Sequence, residues 1–225
     1  MGNRDRSAII SAMLTGMAFI ALLLSARPAS VTKAQSTKPQ STTTYRVDSG
    51  KFTFEYPVSF QDRTAASQAV LAKQRADAQA RGEAPSICTD IVFSGHGLTD
   101  SAASSLLVIK LDMACLKKRP TDEFLSSFFT NIVKSMKKGP KDEFTDPRLY
   151  LLSVHRAMVV RGSIVPNNGR PSSVLKTCAV AEGDVYCWTL TSGSDELVDE
   201  MAHLFVTFDG KEPAPLIPPI LLKIR

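Results

Sequence analysis

Hydrophobic and polar positions change period several times along this chain, and those changes divide it into elements. Ala8 to Leu24 is a predominantly apolar run behind a short polar start carrying Arg4 and Arg6. Gln35 to Thr44 reads QSTKPQSTTT, without apolar period, and predicts a flexible linker. Order is expected from Tyr45. Tyr45-Arg46-Val47 and Phe52 to Tyr56 alternate on either side of Asp48-Ser49-Gly50, the pattern of a hairpin, and Pro57 closes the second strand.

Arg63 to Arg81 is rich in Ala, Gln, Lys and Arg and predicts a helix, with Gly82 as its stop. Its apolar face is thin, mostly alanine with Val70 and Leu71, so it belongs on the surface. Ile87 to Phe93 and Leu106 to Met113 read as strands joined by the polar loop Ser94 to Ser105. The second helix is the clearest. Thr121 caps it, Asp122 and Glu123 suit its N-terminal end, and Lys134, Lys137 and Lys138 suit the other. Phe124, Leu125, Phe128, Phe129, Ile132, Val133 and Met136 recur at three and four, one stripe wide enough to pack on a sheet. Gly139-Pro140 ends it.

Leu149–Val154, Ala157–Val165 and Ser173–Ala181 are strand-like, and Val185–Thr191 pairs back on the last of them. A short helix, Asp195 to His203 capped by Ser194, precedes a final strand, Leu204 to Phe208. Strands with helices set singly between them give an α+β domain, one antiparallel sheet flanked by helices. The ordered domain is expected over 45–209, about 165 residues and enough for one core. In the 210–225 tail, four prolines rule out a regular helix or a central strand.

The first 34 residues have the order of a secretory address: charged, apolar, polar. Thr32-Lys33-Ala34 supplies the small residues a signal peptidase prefers, so a cleaved signal peptide is expected over residues 1–34. The alternative is an uncleaved anchor, since Ala8–Leu24 spans 17 residues, at the short limit for a membrane helix. These residues hold four of the 27 basic and one of the 22 acidic groups, so without them the formal charge falls from +5 to +2. A near-neutral chain gives no reason to expect nucleic acid, and Lys117-Lys118-Arg119 and Lys137-Lys138 read as solvated faces.

Four cysteines in an exported chain form a disulfide framework with three possible connectivities. If Glu182-Gly183 is a two-residue turn, Cys178 faces Cys187 in a non-hydrogen-bonded pair, the geometry a cross-strand bridge uses. Cys88 is then left for Cys115. No CxxC pair or cysteine–histidine spacing supports redox or zinc chemistry. The bridge beside Trp188 is expected to seal a sheet with little aromatic bulk elsewhere.

Catalytic chemistry is not legible. There is no G-x-S-x-G elbow, and Ser94, Ser163 and Ser192 are expected in glycine-flanked loops or turns. His96 lies in the turn-like Ser94-Gly95-His96-Gly97, His155 at a strand break and His203 at a helix end; each alone is more often structural than catalytic. Asp122-Glu123 and Asp199-Glu200 are helix neighbours that point apart. No catalytic, metal or cofactor site is expected.

The element order carries a resemblance. An aromatic hairpin runs into Phe54-Glu55-Tyr56-Pro57-Val58-Ser59-Phe60, followed by a long helix, two strands and the Phe-rich helix at 121–137. Val154-His155-Arg156-Ala157 with Arg161-Gly162-Ser163 leads the next strand pair. The cysteine hairpin, an acidic helix and Leu204-Phe205-Val206-Thr207-Phe208 complete the order. Over residues 45–209 this resembles the PsbP-like fold, shared with the Ran-binding Mog family, with the cysteines and leader suggesting a secreted branch. The resemblance implies a sheet between helices and an accessory protein that docks on a larger partner without an active site of its own.

The expectation is therefore an exported, non-enzymatic module with a protein partner in the cell envelope, touching the membrane only if the leader is uncleaved. The apolar tail Leu216-Ile217-Pro218-Pro219-Ile220-Leu221-Leu222 is a candidate contact; its other reading is a strap packed back on the domain. A small-ligand carrier or enzyme assembled around His96 and His155 is the alternative.

Overall fold

The computed structural model describes residues 41–81, 88–99, 102–137, 139, 141–165 and 171–222. The leader, the stop at Gly82 and Gln35–Gln40 of the linker lie outside them. Among the described residues the strands form two antiparallel sheets. The larger contains β3 (Phe60–Asp62), β4 (Thr89–Thr99), β5 (Ala102–Leu111), β10 (Asp184–Ser192), β9 (Ser172–Ala181), β8 (His155–Ile164) and β6 (Glu143–Phe144) in that spatial order, with β7 (Arg148–Leu152) also paired to β8. The smaller has the order β1 (Thr42–Val47), β2 (Phe52–Pro57), β11 (Phe205–Phe208), β12 (Ala214–Pro215). The chain is α+β, with a large antiparallel sheet flanked by helices.

The second sheet exists because the first hairpin and the last strand pair with one another: Phe54 faces Val206 and Phe52 faces Phe208. Together they cover one face of the large sheet. Phe52, Phe54, Phe93, Tyr186, Trp188 and Phe208 are all buried there, and Phe52 sits 5.0 Å from Tyr186 and 5.4 Å from Trp188 between ring centroids. The expectation of little aromatic bulk is thus corrected. Trp188 faces this aromatic layer, whereas its neighbours Cys187 and Cys178 face the opposite one. Alternation along a strand forces that separation.

The opposite face is covered by α3 (Asp122–Met136), in a numbering where α1 is Thr64–Ala80 and α2 is Met113–Leu116. Thr121 Oγ1 accepts from the Phe124 amide at the N-terminus, where Asp122 and Glu123 meet the positive end of the helix. Leu125, Phe128, Phe129, Ile132 and Met136 are buried against Met158, Val160, Val174 and Val185, each burial worth about 2 kcal/mol. The short α4 (Asp195–Ala202) is capped by Ser194, whose Oγ accepts from the Leu197 amide; it lies on the aromatic side through Leu197, Val198 and Met201.

Three sequence expectations change. The loop expected at Ser94–Ser105 is mostly strand, for β4 and β5 extend the hairpin to its tip. Gly95 and Gly97 are needed there because the Phe93 and Phe60 rings lie where a Cβ would stand, so glycine marks close packing and not a turn. Ser94, Ser163 and Ser192 consequently sit in strands. The first strand starts at Thr42, since its threonines pair as far as Pro57. The proline-rich tail does form regular structure, within proline's limits: an edge pair at Ala214–Pro215 and one helical turn, α5 (Pro219–Leu222), that starts on a proline.

Candidate functional site

The four cysteines form two bridges, Cys178–Cys187 within the β9–β10 hairpin and Cys88–Cys115 between the start of β4 and α2. Glu182 and Gly183 both take positive φ, as a tight two-residue hairpin turn requires, and the register sets Cys178 opposite Cys187 with Cα atoms 4.0 Å apart. Cys178 and Cys187 are fully buried, while Cys115 is exposed.

The three histidines do not gather. His96 pairs with Ser105 on the α3 side of the large sheet. His155 lies on the other side, its ring stacked 3.8 Å from Phe208 and its Nδ1 bonded to the Val180 carbonyl at 2.9 Å. His203 is exposed at the end of α4. A sheet therefore separates His96 from His155, which removes the carrier site expected around that pair. Burial and the nearby Arg63 hold His96 below the usual imidazole value. Among the described residues, no group of three histidine, cysteine or acidic side chains is placed to hold a metal ion.

The tail is a strap. Leu216 and Ile217 are buried in the aromatic layer, the Leu216 amide donates to the Leu204 carbonyl, and the Ile217 amide donates to the Ala202 carbonyl. Among the described large hydrophobic side chains of the tail, Ile220 remains strongly exposed. The other exposed large apolar side chains among the described residues are Val58, Val70, Leu149, Leu151, Val154 and Phe205.

Leu149, Leu151 and Val154 lie together on the edge strand β7 and its turn. Leu152 and His155 close a two-residue turn at Ser153-Val154, so the hydrogen-bonded pairs are 152/155, 150/157 and 148/159. Leu149 and Leu151 consequently aim their main-chain N–H and C=O away from β8, and no described residue meets them. Tyr150 and Leu152 point into the aromatic layer, where the Tyr150 hydroxyl donates to the Leu216 carbonyl at 2.7 Å. The side chains of Leu149 and Leu151 point the other way and are 50% and 63% exposed, with Val154 at the turn 61% exposed. Basic groups stand beside them: Arg156, opposite Leu151, bonds to Asp122 Oδ1 and to the Pro120 carbonyl, which places exposed Lys117, Lys118 and Arg119 near the same end.

The other edge of the same sheet is treated differently. Beyond the short reach of β3, Gln68 Nε2 of α1 donates to the Ile91 carbonyl and Arg75 donates to the Thr89 carbonyl, so a helix satisfies the edge of β4. Unpaired strand edges are normally covered or blunted by charge. In β7 the two outward residues are leucines. The sequence held that signal in Arg148-Leu149-Tyr150-Leu151-Leu152, a strand apolar on both faces, which is read as burial unless the edge position is known. Lys176, a lone lysine in the interior of β9, is 8% exposed.

No family model matches the sequence, and no curated relative matches it. Solved structures similar to the chain include cyanobacterial PsbP (CyanoP) from Synechocystis sp. PCC 6803, at 11% identity, covering 75% of this chain and 89% of that one with a TM-score of 0.41. A protein of unknown function from Pseudomonas aeruginosa, PA94, is 14% identical over 70% of this chain and 87% of its own, with a TM-score of 0.37. LpqN, involved in cell envelope biogenesis of Mycobacterium tuberculosis, is 14% identical over 57% and 79%, with a TM-score of 0.35. At these scores the likenesses carry no argument about function; the architecture rests on the strand order and register described above.

Proposed function

We propose that the protein is an exported, non-enzymatic accessory module that docks onto a protein partner of the cell envelope through the open edge of β7. The observation that carries this reading is the pair of outward-facing backbone positions at Leu149 and Leu151, unbonded and flanked by exposed apolar side chains. An extended partner segment can add there as a new strand, with main-chain bonds giving affinity and alternate side chains giving specificity. Its apolar residues would lie against Leu149 and Leu151, and acidic residues at its end would meet Lys117, Lys118 and Arg119.

Export is supported by the charged, apolar and polar order of residues 1–34 together with two disulfides, which persist in oxidising compartments. Among the described residues no helix is long and apolar enough to cross a membrane. The catalytic reading lacks a constellation: the histidines lie apart, and Asp195 and Asp199 of α4 bond to Arg161, with Asp195 also bonded to Ser173.

Site-specific photo-crosslinking in cells tests the docking. A photo-reactive residue at Leu151 should give one discrete adduct, and the same residue at Thr130, on the outer face of α3, should give none. No adduct at Leu151, or the same adduct from both positions, would remove β7 as the docking edge.

A further inference from the structure

The α3 side of the large sheet carries two adjacent polar rows that the docking edge does not use. In one, His96, Ser105 and Thr191 are consecutive cross-strand partners on β4, β5 and β10. In the next, Ser94, Leu107, Thr189 and Lys176 run from β4 to β9 and end at Val160 of β8. Partners in register share a face, and successive strands are about 4.8 Å apart, so Thr189 and Lys176 stand side by side, while Leu107 separates Ser94 from them. Ser105 and Thr191 bond to one another at 2.5 Å.

The second row is sheltered but not satisfied. Ser94 is 3% exposed, Thr189 4% and Lys176 8%, yet no described residue bonds to the Ser94 hydroxyl, the Thr189 hydroxyl or the Lys176 ammonium. None of the three is among the fully enclosed side-chain atoms that lack a partner, which are Gln74 Oε1, Ser104 Oγ, Trp188 Nε1 and Glu200 Oε2. Their polar heads thus keep a small contact with solvent. Neither row contains a carboxylate, and the stripe of α3 facing this side is apolar. Arg63, which acts on His96 electrostatically, adds positive potential. A buried ammonium without a counter-charge costs several kcal/mol unless something balances it.

We propose that the Thr189–Lys176 end of this second row is a binding site for a small oxyanion, a carboxylate or phosphate group held by Lys176 Nζ and by the Thr189 hydroxyl. Hydroxyl and ammonium groups all donate to oxygen, and a charge-assisted bond is about twice as strong as a neutral one. Burial lowers Lys176 to about 8, so near pH 7 it still carries its charge in most molecules. Oxyanion binding is therefore favoured over amine chemistry. The site does not depend on β7.

The test is a titration of the isotope-labelled full chain at pH 7 with inorganic phosphate and then with acetate, against chloride at equal ionic strength. Saturable amide shifts are expected at Lys176, Thr189 and Thr191, with the stronger of the two anions naming the headgroup class. Lys176→Met should weaken binding about tenfold or more, and Thr189→Val should weaken it less, with the charge retained. Phosphate or acetate should also raise the pH midpoint of the Lys176 side chain in the unsubstituted protein, a readout that does not depend on any variant folding. Absence of a saturable shift over chloride, or binding unaltered in Lys176→Met, would overturn the assignment.

Discussion

Tyr150 donates its hydroxyl to the main-chain carbonyl of Leu216 at 2.7 Å, so the strand with the open edge is also the strand that holds the C-terminal strap. The two roles fall on opposite sides of β7: Tyr150 and Leu152 face inward, Leu149 and Leu151 outward. Removing residues 211–225 uncovers this layer and exposes the sites of Leu216 and Ile217. We expect a loss of about 4 kcal/mol, or roughly 10 °C in Tm, measured by thermal unfolding. Unchanged stability would return the tail to the list of candidate contacts.

The two disulfides should differ in accessibility. Cys115 is exposed, whereas Cys178 and Cys187 lie wholly inside the α3 layer. In the folded protein, a thiol reductant should open Cys88–Cys115 first, and alkylation with mass mapping would show it. Loop entropy also favours Cys88–Cys115 as the larger contribution, about 3.5 kcal/mol for its separation of 27 against about 2.5 for a separation of 9. The buried bridge adds packing that its short loop does not express, so losing it should cost comparably.

Lys176 should leave a signature in the pH dependence of stability. Burial lowers its folded-state value to about 8 from an ordinary 10.5. Above about pH 8 the unfolded chain binds more protons at this group than the folded chain, so stability rises with pH through that window. Below it the full cost of burying the ammonium applies, on the order of 3 kcal/mol. Lys176→Met should remove this rise between about pH 8 and 10 and gain stability at pH 7, as denaturant titrations would show. Parallel pH profiles for the two proteins would contradict the burial.

Gly97 marks the closest approach in the β4–β5 hairpin. A Cβ there would collide with the Phe60 ring and with Ser104 Oγ, which itself lacks a bonding partner. Gly97→Ala should destabilise by about 1–3 kcal/mol through overpacking, without altering the exposed face of β7. Chemical denaturation checks the value.

Local signals made much of the fold legible. The spacing of Phe124 to Met136 marked the long helix, Ser194 and Thr121 marked helix starts, and Glu182-Gly183 fixed a hairpin register. What escaped was non-local. Nothing near Phe52 indicates that it will pair with Phe208, so the small sheet and its aromatic layer could not be separated from the large one. Gly95 and Gly97 looked like turn residues because the rings that exclude a side chain come from Phe60 and Phe93, on β3 and on β4 itself. The candidate site was hidden for a related reason. An edge strand and a central strand can share the pattern Arg148-Leu149-Tyr150-Leu151-Leu152, and only the sheet order tells them apart. Lys176 was visible as a lone charge in an apolar strand, but the polar row it belongs to is assembled from four strands.

The most direct test of the docking edge uses the direction of one amide. The Leu151 N–H points away from β8, so Leu151→Pro should leave the hairpin ladder standing while blocking strand addition. Partner recovery should be measured for this variant in cells, with Thr130→Ala as the control and the Tm of each purified protein recorded alongside. The account predicts that Leu151→Pro loses the partner with little change in Tm, while the control keeps it. Full partner recovery by a folded Leu151→Pro protein would contradict it.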